Sequence, residues 1–258
     1  MRKIAAIASV TVREAVRQRL AVNLLVFTLA ILAASITISS LTFGEQYRII
    51  ANLGLSSMEV VGTLIATFLG AGLIAGEVER RTLYPVLAKA VTRREYVLGR
   101  YLGLVSTVTL NLLVMGVVFG LVLLVYQGGP SALRETPLLM VMAAMAVQFA
   151  MVAAVATFFS TFSTTTLSAI FTLSVVVAGY LSSDLVRYWS KQGAVARTLG
   201  KVAYVLVPNL EALNLKEAMV YKDPVAASFA WTGLGYGALY AAAVVAFASA
   251  VFQRRDLR

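Results

Sequence analysis

Between Tyr101 and Tyr126 the chain reads YLGLVSTVTLNLLVMGVVFGLVLLVY, with no Asp, Glu, Lys or Arg in the run. About 20 apolar residues in a helix cross the roughly 30 Å hydrocarbon core of a bilayer. The run is therefore long enough to span, and the same reading extends outward from it. Upstream, Leu20–Leu41 and Met58–Gly76 are two further candidate spans. Downstream, Leu138–Ser183 is uncharged and about twice the length of one span. Its polar cluster Ser160, Thr161, Ser163, Thr164, Thr165 and Thr166 marks a tight turn, which divides the run into spans over 138–159 and 167–183. Ala226–Phe252 is the last candidate. The expectation is an all-α polytopic membrane protein, residues 1–258 forming one transmembrane domain with about six transmembrane helices.

Composition agrees with that reading. The 258 residues are 60% hydrophobic and 13% charged. A soluble domain is nearer half apolar and a quarter charged. The net charge of +10 could suggest a nucleic-acid partner. The cations, however, flank the apolar runs, which suits anionic headgroups and a basic cytoplasmic face rather than a DNA groove. There is no Cys and no His. Disulfides, thiol nucleophiles and the commonest zinc and general-base chemistry are thereby excluded. The basic N-terminus leads into a full-length span without the pattern of a cleavable signal peptide.

Lys and Arg orient the spans. Arg2, Lys3, Arg13, Arg17 and Arg19 precede the first span. Arg80, Arg81, Lys89, Arg93, Arg94 and Arg100 lie between the second and third, and Arg254, Arg255 and Arg258 follow the last. The first and third connections carry only Arg48 and Arg134. Both termini and residues 77–100 are expected in the cytoplasm of a multi-pass inner-membrane protein. The outer connection over 184–225 goes against this count, with Arg187, Lys191, Arg197, Lys201, Lys216 and Lys222. Treating Leu138–Ser183 as one broken span would flip everything after it. Six spans are preferred, because a single span of that length does not fit a normal bilayer.

Residues 1–19 are amphipathic. Ile4, Ile7, Ala8, Thr11, Val12 and Ala15 share a helical face, with Arg2, Lys3, Arg13 and Arg17 mostly opposite. Such a helix lies in the membrane interface; the alternative is a plain extension of the first span. The pairs Gly72/Gly76, Gly99/Gly103, Gly116/Gly120 and Gly233/Gly237 have the four-residue spacing that lets helices approach closely, and are read as packing.

Chemistry is sparse along the chain. The predicted span centres hold no ionisable residue, with Glu59 and Glu77 at span ends. Asn111 and Gln148 are the deeper polar side chains and are read as interhelical hydrogen bonds. No catalytic residue, metal ligand or cofactor site is predicted. No GxxxxGK[ST] phosphate loop occurs, so any ATPase must be a separate chain.

The connection between the second and third spans is different in kind. Residues 76–103 read GEVERRTLYPVLAKAVTRREYVLGRYLG. Acidic residues come first, then an apolar patch of Leu83, Tyr84, Val86 and Leu87, then basic residues. An apolar patch rimmed by charge suggests a protein partner; a short helix lying on the membrane is the alternative.

The run from Glu77 to Gly103 resembles the ABC-2 permease family, particularly the branch associated with multi-copper enzyme maturation. The amphipathic N-terminus, the roughly six spans and Val207-Pro208-Asn209-Leu210-Glu211 are similar to that family as well. The resemblance implies a coupling helix within 77–100 that docks on a separate P-loop ATP-binding subunit. It implies ATPase-coupling roles for Glu77, Glu79, Arg80, Arg81, Thr82, Leu83, Leu87 and Arg93. It also implies a partly embedded outer hairpin before the last span and a second permease subunit, identical or related. The expected function is that of a membrane-spanning permease subunit of an ATP-binding-cassette exporter, not itself an enzyme, surrounded by membrane lipid and without nucleic acid. The alternatives are a non-transporting assembly or scaffold subunit, which would need no ATPase, and a membrane-embedded lipid-modifying enzyme, which would need a polar catalytic cluster.

Overall fold

A computed structural model describes residues 2–16, 19–40, 45–79, 92–127, 137–190, 207–221 and 227–254. Among these residues all regular structure is helical. In chain order the helices are α1 (Arg2–Val16), α2 (Arg19–Ser40), α3 (Gln46–Glu79), α4 (Arg93–Gln127), α5 (Leu138–Ser160) and α6 (Thr165–Tyr180). Then come α7 (Ser182–Ser190), a 3₁₀ turn (Glu211–Leu213), α8 (Lys216–Tyr221) and α9 (Ala227–Arg254).

Five of these helices, α2, α3, α4, α5 and α9, are long and apolar enough to cross a membrane. The uncharged run Leu138–Ser183 is divided by a turn at Thr161–Thr164, and α6 packs back beside α5 and α3. α6 is apolar but has 16 residues. At 1.5 Å per residue it covers about 24 Å, less than the roughly 30 Å core. The predicted fifth span thus ends as a helix at Tyr180, three residues earlier than the hydropathy run.

α3 is the hub, touching α2, α4, α5, α6 and α8. Its apolar window is 78% buried, against 22% for α2 and 28% for α9. Lipid tails are as apolar as Leu, so helices in a bilayer associate through close packing and interhelical hydrogen bonds. α3 provides both. Gly54 leaves room for the ring of Phe119 from α4 and for Leu32 from α2, while Gly62 receives Phe149 from α5.

These contacts fix a position along α3. Phe149 lies midway along α5, and Leu32 and Phe119 lie well inside α2 and α4. Glu59 falls between Gly54 and Gly62, about 27 Å along α3 from Glu77 at the basic end. It is also buried. Glu59, expected at a span end, stands near the edge of the apolar window, but α3 extends past it and other helices enclose it. The apolar window opens at Met58 because Arg48, Asn52, Ser56 and Ser57 lower the local hydropathy. The helix itself runs on to Gln46, with the Ser56 hydroxyl bonded to Asn52 and that of Ser57 to the Gly54 carbonyl.

The apolar face of α1 is turned toward α4. Gly99 and Gly103 bring the two backbones close: a Cβ on Gly103 would lie 2.5 Å from Thr11 Cβ and 2.7 Å from the Ala8 carbonyl. Thr11 and Ala15 are buried there. A side chain at Gly103 meets backbone that cannot give way, and overpacking of this kind costs about 1–3 kcal/mol. Gly103→Val is expected to displace α1, seen as faster tryptic cleavage at the exposed Arg13 and a lower unfolding temperature in detergent. Gly235→Ala, where the added Cβ meets nothing within 4 Å, is expected to match the parent in both assays.

Candidate functional site

Two polar clusters interrupt the apolar bundle, one at its basic end and one around Glu59 of α3. At the basic end, Arg100 is 8% exposed and is the central cation. It occupies α4, between the two glycines that face α1. Its guanidinium pairs with Glu77 at the end of α3 and, at 2.5 Å, with Glu14 of α1. It also donates to Thr11 Oγ1 at 3.2 Å and to the Tyr96 hydroxyl at 3.3 Å. The Tyr96 hydroxyl in turn donates to Glu77. A planar guanidinium with five N–H donors can serve several acceptors at once, which an ammonium ion does less well. Three elements, α1, α3 and α4, are joined here by one buried cation.

The residues on either side of 80–91 reach further. Glu79, the last residue of α3, accepts from Thr165 N at 2.9 Å and Thr165 Oγ1 at 3.1 Å. Thr165 begins α6, so this carboxylate sits where a helix N-terminus offers unpaired N–H groups and partial positive charge. Arg93, the first residue of α4, donates to the carbonyls of Phe252 at 3.2 Å and Gln253 at 3.0 Å. Those carbonyls belong to the last turn of α9, where a cation is favoured. Thr92 and Glu95 start α4 as a reciprocal capping box: Glu95 Oε2 accepts from Thr92 N at 3.0 Å, and Thr92 Oγ1 accepts from Glu95 N at 3.2 Å.

Beside this end, the Ser160 hydroxyl enters the backbone ladder of α3. It donates to the Ala71 carbonyl at 2.9 Å and accepts from Ala75 N at 2.9 Å and Ile74 N at 3.0 Å. A side chain inserted between a carbonyl and the N–H four residues on is a recognised cause of helix bending.

Three of the expected coupling residues, Glu77, Glu79 and Arg93, are thus bound to other parts of the chain, on α4, α6 and α9 respectively. Arg80, Arg81, Thr82, Leu83 and Leu87 lie outside the described residues. The predictions missed Arg100 and Glu14, the cross-link of α1 to the bundle. The signal for the capping box, Thr92-x-x-Glu95, is present in the sequence.

The cluster around Glu59 was also missed. Lys216, at the start of α8, forms an ion pair with Glu59 of α3. Glu59 Oε1 further accepts from Gln148 Nε2 of α5 at 2.9 Å and from the Tyr180 hydroxyl of α6 at 2.8 Å. Gln148 does bridge helices, whereas Asn111 donates to the Thr107 carbonyl of its own helix. Among the described residues no group of three or more His, Cys, Asp or Glu could hold a metal ion.

The two ends of the Arg100 cluster differ in burial. The Glu77 side chain is 16% exposed and that of Glu14 53%. Removing the cation leaves a nearly buried carboxylate without its counter-ion, a change that costs about 3–5 kcal/mol in comparable buried pairs. An exposed pair contributes about 0–1 kcal/mol. Arg100→Met is therefore expected to lower detergent-phase stability severely and Glu14→Gln only slightly, as read by thermal unfolding. Equal losses in the two variants would show that Glu77 does not depend on Arg100.

The sequence profile of the family described as "ABC-2 family transporter protein" matches residues 5–257. It covers the family as a whole and does not single out the multi-copper branch. No curated protein matches the chain in sequence.

Proposed function

The chain belongs to the ABC-2 transporter family, and from that premise we propose that it exports cargo, driven by ATP hydrolysis in a separate P-loop subunit docked on residues 77–94. Membership makes it a multi-pass membrane permease subunit of an ABC transporter, a transport component and not itself an enzyme. The family also implies association with an ATP-binding subunit. In our reading two such membrane subunits, identical or related, form the core in the inner membrane, with both termini and the basic end in the cytoplasm.

The observation that carries the docking proposal is how the segment is anchored. Both of its flanks are tied to other elements: Glu77 to Arg100 and through it to α1, Glu79 to α6, and Arg93 to α9. A partner that moves residues 80–91 therefore pulls on four helices at once. The Ser160 insertion supports the same reading, since it lies in α3 next to the pulled end, where a weakened ladder lets the helix bend. The basic residues at this end, Lys3, Arg13, Arg93, Arg94, Arg100 and Arg254, agree with a cytoplasmic placement.

Leu83 and Leu87 are the apolar anchors of the proposed contact, and apolar residues at the centre of an interface carry most of its affinity. Leu83→Asp combined with Leu87→Asp is expected to abolish co-purification of the ATPase subunit and to leave the permease in the membrane at normal levels. The check is mild-detergent purification of tagged protein from its native membrane, with mass spectrometry of what accompanies it. A P-loop ATPase recovered equally with the parent and the double variant would remove docking from this segment. Reproducible absence of any ATPase with the parent would favour the assembly-subunit reading.

A further inference from the structure

We propose that Glu59 and Lys216 form a latch inside the bundle, holding the segment Val207–Tyr221 as a movable closure on the side away from the basic end. The segment enters the bundle from the connection before α9. Leu210, Leu213, Leu215 and Met219 are buried. The Pro208 carbonyl lies 2.6 Å from where a Cβ on Gly179 would stand, so the segment fits against the end of α6 only because that residue is Gly. Further hydrogen bonds hold it at its edges, from the Tyr47 hydroxyl to the Met219 carbonyl at 2.8 Å and from Asn209 N to the Tyr236 hydroxyl at 3.0 Å.

The segment has little structure of its own to keep it in place. It consists of a three-residue 3₁₀ turn and a six-residue helix. Helices this short are not stable alone, so contacts with the bundle determine where the segment sits. Among those contacts two join it to the hub helix through charge, the Glu59–Lys216 ion pair inside the bundle and the Arg48 guanidinium over the exposed Tyr221 ring.

The pair is asymmetric in a way that suits opening. The Glu59 side chain is 5% exposed, whereas that of Lys216 is 21% exposed. Glu59 also accepts from Gln148 and Tyr180, two donors on helices that are not part of the segment. When Lys216 withdraws, its ammonium group can be hydrated, and the carboxylate left behind keeps two hydrogen bonds. A buried anion with no other partner would prevent that exit. A latch needs one fixed half and one half that can leave, and the two side chains divide those roles. That the release is driven from the other end of α3 rests on the transporter reading; the latch itself does not.

The sequence contains no Cys, so a single introduced thiol reports alone. Met219, within the segment, is 0% exposed, and Thr172 is 0% exposed on α6. Each is replaced by Cys in protein reconstituted into lipid nanodiscs without any ATPase, and labelling by a water-soluble maleimide is timed. Adding Glu59→Gln is expected to speed labelling of Met219→Cys by about tenfold or more, because labelling follows the population of the open form. The charge swap Glu59→Lys with Lys216→Glu is expected to restore slow labelling, and Thr172→Cys is expected to stay slow throughout. Unchanged labelling of Met219→Cys in Glu59→Gln would overturn the latch. So would an equal rise at Thr172→Cys, which would mean general loosening, or failure of the swap to restore protection. With no ATPase present, these results stand apart from success or failure of the export reading.

Discussion

A buried carboxylate in a lipid-facing bundle has to be matched by other groups, and the packing around α3 meets that requirement. Glu59 lies on α3, the most enclosed of the long helices. Its partners come from α5, α6 and α8. Each of those elements must therefore pass close to one point on α3. Gly62 of α3 helps that approach by taking in Phe149 of α5, next to the Gln148 that donates to Glu59. Apolar packing alone would leave helix positions loosely specified, because lipid competes equally for every apolar face. A buried charge with a fixed set of donors removes that freedom.

The same logic operates at the basic end with the signs reversed. There the buried ion is a cation, Arg100, and the acceptors come from α1, α3 and α4. Helix ends take part as well, with Glu79 at the start of α6 and Arg93 at the end of α9. Each of these contacts answers a group that a helix terminus leaves unsatisfied. Residues 80–91 are thus framed by contacts whose partners lie far away in sequence, and the segment is mechanically connected to most of the bundle through its two flanks.

Much of the fold was legible because hydropathy is additive along a chain. The run from Tyr101 to Tyr126 identifies a membrane helix without reference to anything else. The Ser/Thr cluster at 160–166 was legible as a break, yet the role of Ser160 inside the ladder of α3 was not, since that depends on a neighbour 85 residues or more away in sequence. The amphipathic pattern of α1 was legible, but its destination was not. A glycine-lined helix face and a lipid surface make the same demand on Ile7, Ala8 and Thr11. The enclosure of Glu59 was not legible for a related reason: window averages treat Arg48, Asn52, Ser56 and Ser57 as a boundary, although helical hydrogen bonding continues through all of them. Arg93 was rightly singled out, but its acceptors are backbone carbonyls of α9, which no side-chain pattern encodes.

The two clusters can be compared by asking which of their ions could leave. Arg100 is nearly buried and serves several acceptors at once; moving it would expose Glu77 and free α1 together. Its cluster therefore acts as a strut that carries force without breaking. Lys216 serves one carboxylate, is partly exposed, and stands on a short segment with weak internal structure. Its loss leaves Glu59 with two neutral donors. If the helices act as levers, the strut belongs where the push enters and the breakable pair where the bundle opens. α3 links the two, with the Ser160 hydroxyl bonded to its backbone near the basic end and the Glu59–Lys216 pair further along. That arrangement follows from where the charges are buried, and it does not depend on what the cargo is.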